Sequence, residues 1–187
     1  SASAPGRIII RGGRIALAEA TVTSGNESGA IAPPVEIAAS GELSLKQANV
    51  RTTAGGDGSG AALSLSGERL SLSERSLLRS DTSAGGAGGD ILLEAIGSLR
   101  IITSSENPYT EVVARSTGAG SAGAISMAAG SITVQSSNVF SESQGTGNAL
   151  PVTLSADSVD ITDGAWIRTR SWPGPSGHGA AVGLTGR

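Results

Sequence analysis

Short apolar-polar-apolar triplets recur along the whole chain and predict short β-strands. The stretch 123–143 shows the unit: Ile125-Ser126-Met127, then Ile132-Thr133-Val134, then a third apolar position at Val139. Alternation over so few residues has the period of a half-buried strand and not that of a helix. Because three such strands are too short to form a core alone, we expect the unit to be stacked on copies of itself.

The copies are present at intervals of 27 to 34 residues, and the second triplet always follows the first by seven or eight residues. The apolar pairs of the first triplet are Ile8/Ile10, Val35/Ile37, Leu63/Leu65, Ile91/Leu93, Ile125/Met127, Val152/Leu154 and Val182/Leu184. Those of the second triplet are Ile15/Leu17, Leu43/Leu45, Leu70/Leu72, Leu99/Ile101, Ile132/Val134 and Val159/Ile161. The third apolar position, seven residues further on, is Val22, Val50, Leu77, Val139 and Trp166. In the fourth copy it is delayed to Val112-Val113, after an insertion at 103–111.

This repeat predicts an all-β fold, a right-handed parallel β-helix with three short strands per coil. Strands that pair with the next turn must run parallel, and right-handed crossovers are the rule for parallel strands. We expect about six to seven coils of 27–34 residues. Their approximate bounds are 7–34, 35–62, 63–90, 91–124, 125–151 and 152–181, with the start of a further coil at 182–187. We interpret 1–187 as a single β-helix segment that is a fragment of a longer rod.

Composition supports a solenoid over a conventional compact core. Only 2% of the residues are aromatic, so Ile, Val and Leu must fill the interior. The 28 glycines, together with many Ser and Ala, are typical of flexible linkers. A disordered linker, however, would not keep apolar pairs at a fixed period. We therefore expect ordered coils joined by small-residue connectors.

Charge and hydropathy exclude several classes of partner. The net charge is −3 and the 13 Lys and Arg are scattered, so we expect no binding to nucleic acid or anionic lipid. No apolar run approaches the roughly 20 residues of a membrane-spanning helix, so we expect no transmembrane segment. The absence of cysteine excludes disulfides, thiolate metal sites and cysteine nucleophiles.

Two segments, Gly145–Ser171 and Gly118–Val134, resemble the repeats of filamentous-haemagglutinin-like exoproteins. Such repeats have a Gly-Asn-Ala-Gly connector, an Ile-x-Ile strand, a small-residue turn and a Val-x-Leu strand that ends in Gly-x-x-Ile. Gly147, Asn148 and Ala149 match the connector, whereas Leu150-Pro151 departs from its final glycine. The resemblance extends over 7–184. It implies two-partner secretion, an extracellular or outer-cell-surface location, and a role as an adhesin or in surface display.

Two alternatives to a structural or adhesive segment remain open. The chain could form the noncatalytic coils of a polysaccharide-active β-helix, although acid-base chemistry needs convergent carboxylates. Only Asp157, Asp160 and Asp163 are close together, and we interpret them as a solvated edge, so we expect no enzyme activity of this segment. Alternatively, 7–11 and 181–184 would expose strand edges, which could join subunits into an end-to-end extracellular filament. Further β-helix coils, of the same or neighbouring chains, are therefore expected partners.

Two weak signals concern metals. The stretch Gly85–Leu93 matches one calcium-binding nonapeptide of RTX β-rolls, but a roll needs consecutive copies. His178 has no histidine or acidic residue at ligand spacing. We expect no cofactor and no metal, with calcium near Asp90 as the alternative.

The most suggestive surface chemistry is aromatic and lies toward the C-terminus. Planar indole and guanidinium groups suit sugar rings and partner surfaces, so surface glycans or host cell-surface proteins are candidate partners. We predict that Tyr109 and Trp166 share one side of the rod, near the corner between second and third strands. The alternative is that Trp166, or its neighbour Ile167, fills the core and that Trp172-Pro173 covers a coil edge. The candidate ligand or partner surface comprises Tyr109, Trp166, Arg168, Arg170 and Trp172.

Overall fold

The structure is a computed structural model that describes residues 6–27, 29–83, 85–104, 109–172 and 177–186. These ranges contain 17 strands and no helix, and hence no helix that could cross a membrane. Every strand pairs in parallel with strands of the preceding or following turn. The parallel β-helix predicted from the repeat is therefore confirmed, with about six turns stacked along the rod.

The first two strands of each turn form one sheet that bends around a corner. The first strands are β1 (Ile8–Gly12), β4 (Val35–Ala39), β11 (Ile125–Ala128), β14 (Val152–Ala156) and β17 (Val182–Gly186). The second strands are β2 (Ile15–Ala18), β5 (Glu42–Lys46), β12 (Ser131–Gln135) and β15 (Ser158–Thr162). In the third and fourth turns the two strands are continuous, as β7 (Leu63–Ser73) and β9 (Ile91–Ile102). Between these two, the register shifts once at the corner, between Gly67 and Arg69.

The third strands form a separate sheet, which we call the third sheet. Its order along the rod is β3 (Thr21–Asn26), β6 (Asn49–Ala54), β8 (Leu77–Thr82), β10 (Glu111–Ser116), β13 (Asn138–Ser143) and β16 (Trp166–Ser171). The insertion predicted at 103–111 precedes β10. Its residues 105–108 lie outside the described part of the chain, and Thr103 and Thr110 at its base are buried.

The core consists of columns of aliphatic side chains, because equivalent residues of successive turns pair in register. One column of the first strands contains Ile37, Leu65, Leu93, Met127 and Leu154. One column of the second strands contains Leu45, Leu72, Ile101 and Val134. All of these are at most 1% exposed. The apolar positions of the first and second triplets thus point inward, as their alternation indicates.

In the third sheet the predicted core position was wrong by one residue in two turns. Pairing places Leu78 in register with Val50 and Val112, and Ile167 in register with Val139. Leu77 and Trp166 therefore face outward. In the sixth turn Ile167 occupies the core position, which was the alternative to Trp166. A shift of one residue sends a strand's side chains to opposite faces.

The length of the corner turn before the third strand causes this shift. In the first, second and fifth turns of the helix, two residues separate the strands and the first has positive φ: Glu19, Gln47 and Ser136. In the third and sixth turns, three residues separate the strands and two have positive φ: Glu74 with Arg75, and Asp163 with Gly164. The additional left-handed residue moves the following strand on by one position.

The connectors from each third strand to the next turn are packed too closely for side chains. A Cβ at Gly86 would overlap the carbonyl oxygen of Gly58, one at Gly120 that of Gly86, and one at Gly147 that of Gly120. These glycines are a column, and each allows the backbone of one connector to rest on the next. The glycine content thus reflects close backbone stacking, in agreement with the ordered connectors expected from the register.

Behind the connectors, the third sheet turns hydroxyl groups inward. Thr52 Oγ1 donates to the Ala61 carbonyl at 3.1 Å, and Ser141 Oγ donates to the Gly123 carbonyl at 2.9 Å. Ser116 Oγ donates to the carbonyl of Gly120 in its own connector. Because buried carbonyls need partners, these side chains satisfy connector backbone that has no strand neighbour on that side.

Candidate functional site

The outward face of the third sheet carries the rings of Phe140 and Trp166 and many large polar side chains. Strand pairing arranges them in three columns that run along the rod axis. The first column is Thr21, Asn49, Leu77, Glu111, Asn138 and Trp166. The second is Thr23, Arg51, Arg79, Val113, Phe140 and Arg168, and the third is Gly25, Thr53, Asp81, Arg115, Glu142 and Arg170.

A depression of about 290 Å³ lies on this face beside the corner between second and third strands. It is lined by Tyr109, Glu111, Asn138, Phe140, Gly164, Trp166 and Arg168. Tyr109 is 42% exposed and Trp166 is 58% exposed. The structure therefore brings the two rings to one depression on one side of the rod, and ligand binding there stays a prediction.

Arg168 is held at the depression by aromatic rings. Its guanidinium carbon lies 5.0 Å from the ring centre of Phe140 and 5.4 Å from that of Trp166, within the range of cation-π attraction. Among the described residues it makes no hydrogen bond or ion pair. Phe140 itself is buried, and the guanidinium carbon of Arg115 also lies over its ring, 5.9 Å from the ring centre. The guanidinium is therefore oriented by ring contacts while its N–H donors remain available.

A second cluster adjoins the depression and is centred on Glu142, whose side chain is 5% exposed. The indole N–H of Trp172 donates to one carboxylate oxygen at 2.9 Å, and Arg115 and Gln144 donate to the other at 3.1 Å each. Burial alone would raise the pKa of Glu142, but the hydrogen bonds from Trp172 and Gln144 and the charges of Arg115 and Arg168 lower it overall.

The five candidates from the sequence thus fall into two groups. Tyr109, Trp166 and Arg168 line the depression, whereas Trp172 belongs to the Glu142 cluster, with the Arg170 guanidinium 3.9 Å from its ring centre. The proposed cover of a coil edge by Trp172-Pro173 can be followed only for Trp172, because Pro173 lies outside the described residues.

Sequence reasoning missed the neighbours of these five residues, among them Glu111, Asn138, Phe140 and Glu142. They alternate with the inward positions of β10 and β13, so extending the alternation from Val139 would have placed Asn138, Phe140 and Glu142 outward. The signal was weak because those strands follow one apolar residue with alanine or serine at the inward positions. Phe140, the only phenylalanine of the chain, lay unnoticed beside Val139.

Further along the same face, Asp81 bridges two arginines. Its carboxylate accepts from Arg51 at 3.0 Å and from Arg79 at 3.3 Å. These residues line a shallower space of about 420 Å³ together with Arg115 and several hydroxyl side chains. The guanidinium groups of Arg51, Arg79 and Arg115 are each paired with a carboxylate, in contrast to Arg168.

The remaining candidate positions make structural contacts. An Asp90 carboxylate oxygen accepts from the Ala124 backbone N–H at 2.8 Å, and an Asp163 oxygen accepts from the Gln135 amide at 2.6 Å. The backbone N–H of His178 donates to the Asn148 side chain at 2.9 Å. Within the described ranges, no group of three or more His, Asp and Glu side chains could hold a metal ion.

No protein-family model, no curated protein and no solved structure matches this chain. The fold therefore rests on the strand pairing described above. The likeness to filamentous-haemagglutinin-like repeats rests on the sequence pattern alone.

Proposed function

We propose that the chain is a rod-forming segment of a secreted β-helical exoprotein of the filamentous-haemagglutinin-like type, located at the outer cell surface, where it serves adhesion. The observation that carries the proposal is the depression on the third sheet. It joins two exposed rings, Tyr109 and Trp166, to the Arg168 guanidinium, which makes no hydrogen bond or ion pair with any described residue. Exposed aromatic groups that cluster around such a group are typical of recognition surfaces.

The other outward faces support a recognition role for the third sheet by contrast. Along the first strands the outward positions include Ser64, Ser126 and Thr153, and along the second strands Ser44, Ser71 and Thr133. Charged residues also occur on these faces, such as Glu36, which is paired with Arg11, but no described aromatic residue does. Short hydroxyl side chains offer little contact area to a partner. A rod whose aromatic rings cluster beside arginine and carboxylate side chains on one face fits presentation of a binding surface better than it fits a purely mechanical spacer.

The alternative of polysaccharide cleavage finds less support in the same geometry. Asp81 and Glu142 accept hydrogen bonds from arginines, and the lowered pKa of Glu142 disfavours the protonated form that a general acid needs at neutral pH. We therefore propose that this segment binds and does not catalyse.

Stacking of further coils is a second part of the proposal. At the last turn, the inward positions Ile161, Val182 and Leu184 are 42%, 42% and 58% exposed, although their equivalents in preceding turns are buried. Their backbone and side chains fit another parallel strand in the same register. Further coils of the same chain, or of a neighbouring chain in an end-to-end filament, are the partners that such an edge would accept.

The adhesive role can be tested with the chain displayed on beads and applied to immobilised glycans, extracellular proteins and cultured cells. The double variant Tyr109→Ala/Trp166→Ala removes both exposed rings, and Ile96→Ala removes an 81% exposed side chain from a different corner. We expect the double variant to lose adhesion and the Ile96 variant to keep it. Equal adhesion of all three proteins, or no adhesion by any, would contradict the proposal.

A further inference from the structure

We infer that the depression on the third sheet takes an uncharged pyranose ring, as found in a neutral surface glycan. This inference rests on the proposed adhesive function and specifies its ligand. It is carried by three features of the site: the placement of the rings, the balance of charge, and the pattern of hydrogen-bond donors and acceptors.

The rings supply an apolar contact of the right shape. Tyr109 and Trp166 border the depression with their side chains about half exposed, and Phe140 lies buried beneath Arg168. A pyranose presents C–H groups on its faces and hydroxyl groups around its edge. The C–H faces match aromatic rings, which bury much area with few rotatable bonds. The volume of about 290 Å³ is close to the lower end for small-molecule sites, which is space enough for one sugar ring.

The depression carries one positive and one negative side chain, Arg168 and Glu111. A carboxylate or sulfate on the ligand would gain from Arg168 but would be repelled by Glu111 within the same small space. A cationic ligand would be attracted by Glu111 but repelled by Arg168. Further along the face, the other arginines are already paired with Asp81 and Glu142, so they do not extend the depression into an anion site.

Hydroxyl groups match both charged side chains at once. Arg168 offers N–H donors that no described residue engages. Glu111 offers two acceptor oxygens, of which the described residues engage one, through a long hydrogen bond of 3.4 Å from the Asn138 amide. A hydroxyl group is both donor and acceptor, so two neighbouring sugar hydroxyls can accept from Arg168 and donate to Glu111. Asn138 can contribute both kinds of bond.

The site is also prearranged. Asn138, Phe140, Trp166 and Arg168 lie on adjacent paired strands, and the Arg168 guanidinium is held by two rings. Gly164, at the corner, has φ of +72° and open space where a Cβ would be, so the depression is not obstructed on that side. Because rigid elements lose little freedom on binding, a weakly bound single sugar gains from this arrangement.

Saturation-transfer NMR with the full chain tests the inference directly. The probes are the methyl glycosides of glucose, galactose and mannose, with methyl glucuronide as the acidic counterpart. We expect saturation transfer to at least one neutral glycoside. The affinity for that glycoside should fall roughly tenfold or more in Trp166→Ala and in Arg168→Gln. It should be unchanged in Ile96→Ala. Stronger binding of the glucuronide, equal binding by the Trp166 variant, or no transfer to any neutral glycoside would overturn it.

Competition against bead adhesion separates failure of this inference from failure of the proposed function. If a neutral glycoside releases the beads and the glucuronide does not, both are supported. If adhesion depends on Tyr109 and Trp166 but no neutral glycoside competes, the adhesive function stands and the sugar assignment is wrong. If adhesion does not depend on either ring, the adhesive function proposed for this face is wrong, and the sugar assignment that rests on it is wrong as well.

Discussion

The sheet formed by the first two strands of each turn differs in composition from the third sheet, although both arise from the same repeat. Inside the bent first sheet, most inward residues are Ile, Leu, Val or Met, and the outward residues are mostly hydroxyl and scattered charged side chains, without aromatic rings. Inside the third sheet, each strand contributes one aliphatic residue followed by Ser, Thr or Ala, while its outward positions carry charged and aromatic groups. The stabilising part of the rod and its chemically distinctive part are therefore on different sides.

This difference follows from what each sheet faces. The inward side chains of the first sheet face one another across the core, so large aliphatic groups fill the space. The inward end of each third strand instead faces the glycine-rich connectors, and the carbonyls of Ala61, Gly120 and Gly123 there accept hydrogen bonds from side chains of the third sheet. Hydroxyl groups are short enough to fit there and can bond to backbone, as Thr52 does to Ala61 and Ser141 does to Gly123. The interior of the rod is accordingly part hydrocarbon and part backbone.

The largest effect is expected in an aliphatic column of the first sheet. Leu65→Ala removes a side chain that is 0% exposed and lies between its equivalents Ile37 and Leu93 of the adjacent turns. The lost burial and the cavity should lower the free energy of unfolding by about 2–5 kcal/mol, measured by chemical denaturation. The neighbouring outward residue gives the control: Ser64→Ala should change it by less than about 0.5 kcal/mol.

The connector column should be nearly as sensitive. In Gly120→Ala the new Cβ would overlap the Gly86 carbonyl oxygen, so stacked connectors must move apart. We expect the free energy of unfolding to fall by an amount toward the upper end of about 1–3 kcal/mol, which would be measured as a lower melting temperature. For Gly183→Ala, where the nearest atom to a Cβ is 3.6 Å away, melting should be almost unchanged. If both substitutions were tolerated alike, close stacking would not be the reason for glycine at 120.

Two buried serines of the third sheet allow a hydroxyl that makes hydrogen bonds to be compared with one that makes none to a described residue. Ser141 Oγ donates to the Gly123 carbonyl and accepts from the Leu150 N–H at 3.1 Å, so Ser141→Ala should cost about 1–3 kcal/mol of unfolding free energy. Ser80 Oγ is buried without a hydrogen-bond partner among the described residues. Ser80→Ala should therefore be neutral or stabilising in the same denaturation experiment. A larger loss of unfolding free energy from Ser80→Ala than from Ser141→Ala would refute the role assigned to the hydroxyl groups that bond to the connectors.

The smallest effect concerns the outward face and depends on pH. The pKa of Glu142 is lowered in the folded protein, so its charged form contributes stability above the ordinary glutamate pKa of about 4.3. That contribution is lost as the pH falls through the lower, folded value. At neutral pH, Glu142→Gln should reduce unfolding free energy by about 1 kcal/mol, since an amide accepts weaker hydrogen bonds than a carboxylate.

The difference in melting temperature between wild type and Glu142→Gln provides the measurement. It should shrink progressively at pH values below about 4.3 and be constant between pH 6 and 8. The fluorescence of Trp172 should change over the same acidic range, because its indole N–H donates to this carboxylate. A difference that grows on acidification would show that the sign of the shift is wrong.

The candidate site was only partly predictable. The large planar groups were visible in the sequence because the chain has so few of them, and Tyr109 and Trp166 were correctly placed at one corner. Their true neighbours were not visible. Glu111, Asn138 and Phe140 are separated from Trp166 by a whole turn or more of sequence, and only the pairing of β10, β13 and β16 brings them together.

The sequence by itself determined the coiled architecture and the aliphatic columns. Paired apolar residues at a fixed spacing can all be buried only if successive copies stack in parallel register. The tertiary structure alone decided which way the third strands face. Their inward side contacts backbone, so it does not require hydrophobic residues and leaves no strong alternation in the sequence. One extra residue of positive φ at a corner, as at Asp163-Gly164, then suffices to turn Trp166 out to solvent and Ile167 in to the core.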